Sequence, residues 1–180
     1  DKAVEHSKHA VTILESLAKA PALAETWADL AAIHLNRRDW RAAEKSLDKA
    51  RRYMNDSASP ILKAHLSCRE GFLHLHLGNH RQALDCLMEA EKDMLNLDEE
   101  TAGLKDYYIQ TLIFSGLGDL YERLGEKAKS LEAYRCVLPI VERHGLRPRL
   151  SWHYLNAGRA AMAQQDVTQA QACFEKAMLV

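Results

Sequence analysis

The stretch GLGDLYERLGEKAKSLEAYRCV, residues 116–137, sets small and large side chains at fixed offsets. Gly118 stands three residues before Tyr121 and twelve before Ser130, which is followed by Tyr134 and Val137. Such offsets serve either a chemical site or helix packing, and recurrence decides between them, because a packing rule repeats wherever the packing does. The pattern returns three times. WADLAAIHLNRRDWRAAEKSLDKA (27–50) carries Leu30, Ala31 and His34, then Ala43, Leu47 and Ala50. EGFLHLHLGNHRQALDCLMEA (70–90) carries Gly71 and His74, then Ala83, Leu87 and Ala90. NAGRAAMAQQDVTQAQACFEKA (156–177) carries Gly158 and Ala161, then Ala170, Phe174 and Ala177.

In each copy a small residue on one helix and an Ala or Ser twelve residues on let two antiparallel backbones approach, with large residues filling the flanking space. Gly78 and Gly125 fall where the first helix must stop and the chain reverse. These four copies resemble the tetratricopeptide repeat, whose pattern runs W-x2-L-G-x2-Y, then A-x3-F, then Pro. The resemblance covers nearly the whole chain. It implies an all-α fold, a right-handed superhelical solenoid of antiparallel helix pairs, and a non-catalytic role in binding other proteins. The anchors Ala31, Gly71, Gly118 and Gly158 lie 40, 47 and 40 residues apart, against about 34 for the standard repeat. Longer helices or loops must absorb the difference, and the chain resembles the long-repeat arrays of bacterial regulator sensor arms and kinesin light chains.

Local signals set the expected boundaries. NDSASP (55–60) reads as a loop with Ser59 as N-cap and Pro60 as the first helical residue. LDEETAGLKDYYIQ (97–110) adds turns to the front of the third repeat's first helix, and HGLRP (144–148) is a second connector. VEHSKHAVTILESLAKAP (4–21) has the helical periodicity of a repeat's second helix, with Pro21 at the place of the terminal Pro. One repeat domain over 1–180 is expected: a half-repeat 1–21, then repeats of about 22–58, 59–97, 98–145 and 146–180. The opening without Met and the apolar FEKAMLV at the end read as a fragment of a longer chain, whose open ends allow self-association.

Composition agrees with helices. Gly numbers 8 and Pro 4 in 180 residues, and 47% of residues are hydrophobic, enough for a sizeable core. Lys plus Arg total 24 against 25 Asp plus Glu, a balance that draws the chain to neither nucleic acid nor an anionic membrane. No signal peptide or membrane span is legible. Cys68, Cys86, Cys136 and Cys173 lie far apart, which reads as reduced thiols in a cytoplasmic protein rather than a zinc framework.

No cofactor or metal is expected. His74, His76 and His80 do not share a helical face, since ligands on one helix need i, i+3 or i+4 spacing. His65 and Cys68 have that spacing but lack a third ligand. Glu70 and His74, an acid and an imidazole four apart, are either half of an acid–base site for a hydrolase or a hydrogen-bonded pair at a helix seam. The seam is the preferred reading, with Leu66, Leu73 and Leu77 carrying the packing.

What the resemblance leaves for function is the face of each first helix that lines the concave groove. His65, Arg69, Phe72 and His76 form one stripe there, at i, i+4, i+7 and i+11. Asp29, Asp119, Arg123, Asn156 and Arg159 hold similar places in the other repeats. Phe72 is the expected apolar anchor, or else a packing residue, and Arg69 and Arg123 are expected to be exposed charges. The Lys, Asn and Arg clamp by which related chaperone-tail binders hold a terminal carboxylate is missing: the corresponding positions carry Ala28, Ala32, Cys68, Phe72, Ser115, Asp119, Leu155 and Arg159. The expected partner is a protein or peptide segment. The alternative is a ligand-sensing arm of a multidomain bacterial signalling or transcription regulator.

Overall fold

The computed structural model describes residues 2–17, 19–55, 58–95, 102–146 and 150–179. Among them are nine helices and no strand: α1 Lys2–Ser16, α2 Ala20–Asn36, α3 Trp40–Tyr53, α4 Pro60–Leu77, α5 His80–Met94, α6 Leu104–Arg123, α7 Lys127–Arg143, α8 Leu150–Ala163 and α9 Val167–Leu179. They group into two compact units, Asp1–Asn96 and Leu97–Val180. In the N-terminal unit α2 pairs with α3 and α4 with α5, while α1 packs on α2, and α4 on both α2 and α3. In the C-terminal unit α6 pairs with α7, α8 with α9, and α7 with α8. This is an all-α repeat fold of antiparallel helix pairs.

The glycines explain how each pair closes. A Cβ on Gly71 would lie 2.7 Å from Leu87 Cγ, and one on Gly118 would lie 2.7 Å from the ring of Tyr134. Gly158 faces Phe174 in the same way. The residue seated on each small position is therefore the large one sixteen residues on, not the Ala or Ser at twelve. The latter supplies the close backbone approach, and Ser130 Oγ also donates to the Gly118 carbonyl at 3.0 Å. Around these contacts lie the two cores: Trp27, Leu30, Leu47, Leu66 and Leu73 in the N-terminal unit, and Leu131, Tyr134, Ala157 and Cys173 in the C-terminal one.

Helix ends follow local chemistry. Ser59 caps α4, accepting from Leu62 N–H at 3.2 Å, with Pro60 in the first turn; the rest of that loop, 56–57, lies outside the described residues. Gly78 ends α4 in the left-handed conformation, at φ 78°. The third repeat's first helix has its extra length: α6 runs for 20 residues behind Gly103, whose N–H donates to the Asp106 carboxylate at 2.8 Å. Residues 97–101 and 147–149, within the two expected connectors, are outside the described set. Pro21 does not close the half-repeat; it sits in the first turn of α2, where its missing N–H costs nothing. Leu77, expected in the packing, is 47% exposed, because the last residue of α4 lies next to the turn at Gly78 that leads into α5.

Candidate functional site: the first-helix faces

In the N-terminal unit, helical spacing brings three expected residues together between α2 and α4. Arg69 Nε donates to His65 Nε2 at 3.2 Å, and Asp29 Oδ1 stands 3.5 Å from the same nitrogen. With Nε2 accepting, the neutral ring keeps its proton on Nδ1, which is buried without a hydrogen-bond partner. Burial, reinforced by the Arg69 charge, holds the His65 pKa down to about 3. Burial likewise raises that of Asp29, against the opposing pull of Arg69. His65 and Arg69 are both buried, so Arg69 is a seam cation rather than the exposed charge expected of it. A buried guanidinium with two neighbours on α2 and α4 fastens the two repeats, and reversing its charge would damage the fold.

The rest of the α4 stripe diverges. Phe72 is half-buried and packs against the N-terminal core, while exposed His76 stacks on Trp40 at the start of α3, ring centroids 4.9 Å apart and 20° from parallel. The stripe thus runs from a buried seam to an exposed end. Glu70 does not pair with His74: it accepts from Arg51 Nε on α3 at 3.1 Å, leaving His74 Nδ1 buried and unpartnered. The acid–imidazole seam bond expected from spacing is replaced by one to the preceding helix. Cys68, at one of the clamp positions, is fully enclosed, and burial pushes its thiol up to about 12.

In the C-terminal unit, α6 and α8 are joined by rungs. At one end Ser115 Oγ meets His153 Nδ1 at 3.3 Å. The Ser115 hydroxyl donates to the Thr111 carbonyl at 2.6 Å, so its proton is engaged by the backbone and the pair is a structural contact rather than a nucleophile with its base. At the other end Arg159 Nη2 donates to Glu122 Oε1 at 3.0 Å. Between them lie Asp119, which accepts the Tyr134 hydroxyl, and Asn156, 5% exposed, whose Nδ2 has no hydrogen-bond partner. Burial raises the Asp119 pKa, and the Tyr134 bond partly offsets this; burial and Asp119 together raise that of Tyr134. Arg123 is exposed on the last turn of α6. Sequence reasoning missed Glu122, Tyr134 and His153. The i, i+4, i+7 spacing of Ser115, Asp119 and Glu122 was the available signal.

Among the described residues no three His, Cys, Asp or Glu side chains come together as metal ligands, and no helix is long and apolar enough to cross a membrane.

The family model for the tetratricopeptide repeat matches residues 154–179, which are most of the last helix pair. This segment carries a tetratricopeptide repeat. Two solved structures share the fold along almost all of it. One is the MamA protein, with a TM-score of 0.57 at 22% identity over 98% of this chain and 79% of that one. The other is BtubC (BKLC) from P. vanneervenii, with a TM-score of 0.52 at 18% identity over 97% and 88%. No curated protein matches the sequence. In tetratricopeptide terms Gly158 and Phe174, the packed pair of the matched segment, are the Gly and the Phe of the repeat pattern, and Gly118 with Tyr134 repeats them one helix pair earlier.

Proposed function

We propose that this chain is a non-catalytic module that binds a segment of a partner protein along the faces of its first helices, the side that is concave in tetratricopeptide arrays. The observation that carries the reading is the α6–α8 face. The small and large residues of the repeat pattern are consumed by packing within each helix pair, whereas Glu122, Arg123, Asn156 and Arg159 stand outside those glycine contacts and Asp119 meets them through the Tyr134 hydroxyl. An exposed rim of both charge signs around buried polar groups suits recognition of a chain segment. The groups that resemble catalytic ones are engaged elsewhere: Glu70 on Arg51, Ser115 on Thr111, and His65 held neutral by burial. Four free cysteines fit a reducing cytoplasm.

Display panning of random peptides against the protein tests the reading, with the double variant Arg123→Glu/Arg159→Glu as counter-target. Enriched peptides are expected to lose about tenfold or more in affinity for the variant, with a loss that shrinks as salt rises. The melting temperature should hold, because both arginines are exposed. Failure to enrich any peptide, or equal binding by the variant, overturns it.

A further inference from the structure

The near-zero net charge of the chain hides a separation of sign between two second helices of the N-terminal unit. On α3, Ala43, Leu47 and Ala50 face the core, and Arg41, Lys45 and Lys49 are exposed on the other side. On α5 the core face is Ala83, Leu87 and Ala90. There Asp85, Glu89 and Asp93 form the corresponding stripe, the first two exposed and the third half-buried. Each stripe runs at i, i+4 and i+8, so its charges leave the helix about 6 Å apart along the axis.

Within one chain these charges are not spent on each other. Among the described residues none of the six side chains is in an ion pair. Arg51, the α3 cation on which Glu89 acts, is already bound to Glu70 on α4. Lys49 is held by the Trp27 ring, its ammonium 4.1 Å from the centroid, which fixes one end of the basic stripe.

We propose that the two stripes are the halves of a contact between copies of this chain. In it, α3 of one copy lies along α5 of another, Arg41, Lys45 and Lys49 against Asp85, Glu89 and Asp93. The occupant follows from sign, spacing and flanks. A partner for α3 must present acidic groups at helical intervals, and α5 supplies the same three intervals with the opposite sign. A phosphate polymer or an anionic membrane fits less well, because Glu44 and Asp48 stand exposed beside the basic stripe and a uniformly negative surface repels them. The acidic stripe is not uniform in this way: Arg81 and Lys92 are exposed beside it. Exposed ion pairs contribute little each, so the contact is weak and salt-dependent, and its charge pattern sets which helices meet. It uses none of the α6–α8 face and stands independently of the partner-binding reading.

Sedimentation equilibrium over a range of protein concentrations tests the proposal, in about 0.01 M salt, where charges act over about 30 Å, and in about 1 M, where they act over about 3 Å. The wild type is expected to exceed the monomer mass at low salt and to return to it at high salt. The triple variants Arg41→Glu/Lys45→Glu/Lys49→Glu and Asp85→Lys/Glu89→Lys/Asp93→Lys should each associate about tenfold or more weakly. The first carries acid on both helices and the second base on both, so their equimolar mixture should associate again, as should the chain with all six reversed. Should a triple reversal unfold the chain, Lys45→Glu and Glu89→Lys carry the same comparison. A wild type that stays monomeric at low salt overturns the proposal, including one that binds poly-L-glutamate or a single-stranded oligonucleotide through α3 instead. Association that survives either reversal, or a mixture that stays monomeric, overturns it too.

Discussion

Gly71 and Gly118 occupy equivalent places against different neighbours, and the difference sets what a methyl group would cost at each. Opposite Gly71 is Leu87, a flexible side chain. In the first repeat Ala31, fully buried, already carries a Cβ with Leu47 at the same offset. Opposite Gly118 is the ring of Tyr134, rigid, buried and tied by its hydroxyl to Asp119. Ala is preferred over Gly inside a helix by about 0.5–1 kcal/mol, which offsets a small rearrangement of Leu87 but not a displaced tyrosine. Gly71→Ala is therefore expected to change stability by no more than about 1 kcal/mol in either direction, whereas Gly118→Ala costs about 1–3 kcal/mol by overpacking. Urea denaturation of the two variants checks this; equal losses would show that the opposing side chain does not decide the cost. The sequence pattern located these glycines but not the residue pressed on them, because the twelve-residue offset is the more regular signal and the sixteen-residue partner varies between Leu, Tyr and Phe.

At the scale of the helical pair, the turn between first and second helices is the same object in the pairs α2–α3, α4–α5, α6–α7 and α8–α9. Arg38, Gly78, Gly125 and Gln165 each stand seven residues after the small anchor, and all four have positive φ, at 60°, 78°, 76° and 64°. The next residue directly precedes the second helix, and Asp39 and Asp166 cap that helix by accepting from Ala42 N–H and Gln169 N–H at 3.1 Å each. Glycine adopts the left-handed conformation freely, while a residue with a Cβ pays about 1–2 kcal/mol. Arg38→Gly and Gln165→Gly should therefore each raise stability by about 1 kcal/mol, read as a higher urea midpoint with an unchanged slope; a lower midpoint at both would refute the turn argument. Gly78 and Gly125 were legible because a glycine announces this conformation, and Arg38 and Gln165 were not, because nothing in their chemistry does. Caps and helix periods are local and could be read from a few residues. Which first-helix residues are buried depends on the neighbouring helix pair, and for that reason Arg69 was expected exposed and the burial of Asn156 was not foreseen.

For the molecule as a whole, the buried polar seams make stability a function of pH, and the sign differs between groups. His65 lies in the α2–α4 seam facing Asp29 and Arg69, and its pKa falls from an ordinary 6.5 to about 3. The unfolded chain binds this proton below pH 6.5 while the folded chain resists it until about 3, so His65 withdraws stability as pH falls through that window. Asp29 and Asp119, both raised by burial, act oppositely near the carboxylate range, since the folded state protonates first and acid relieves their burial. Above that range the histidine dominates. Between pH 6.5 and 5 the wild type is expected to lose stability relative to His65→Gln, the slope of the difference approaching about 1.4 kcal/mol per pH unit once the unfolded histidine is fully charged. Urea midpoints of both proteins, measured at half-unit steps from pH 7.5 to 5, give that slope directly. A difference that stays flat across the window would mean that His65 takes up its proton in the folded state, with Asp29 as its counter-ion, and that the α2–α4 seam is ionic rather than neutral.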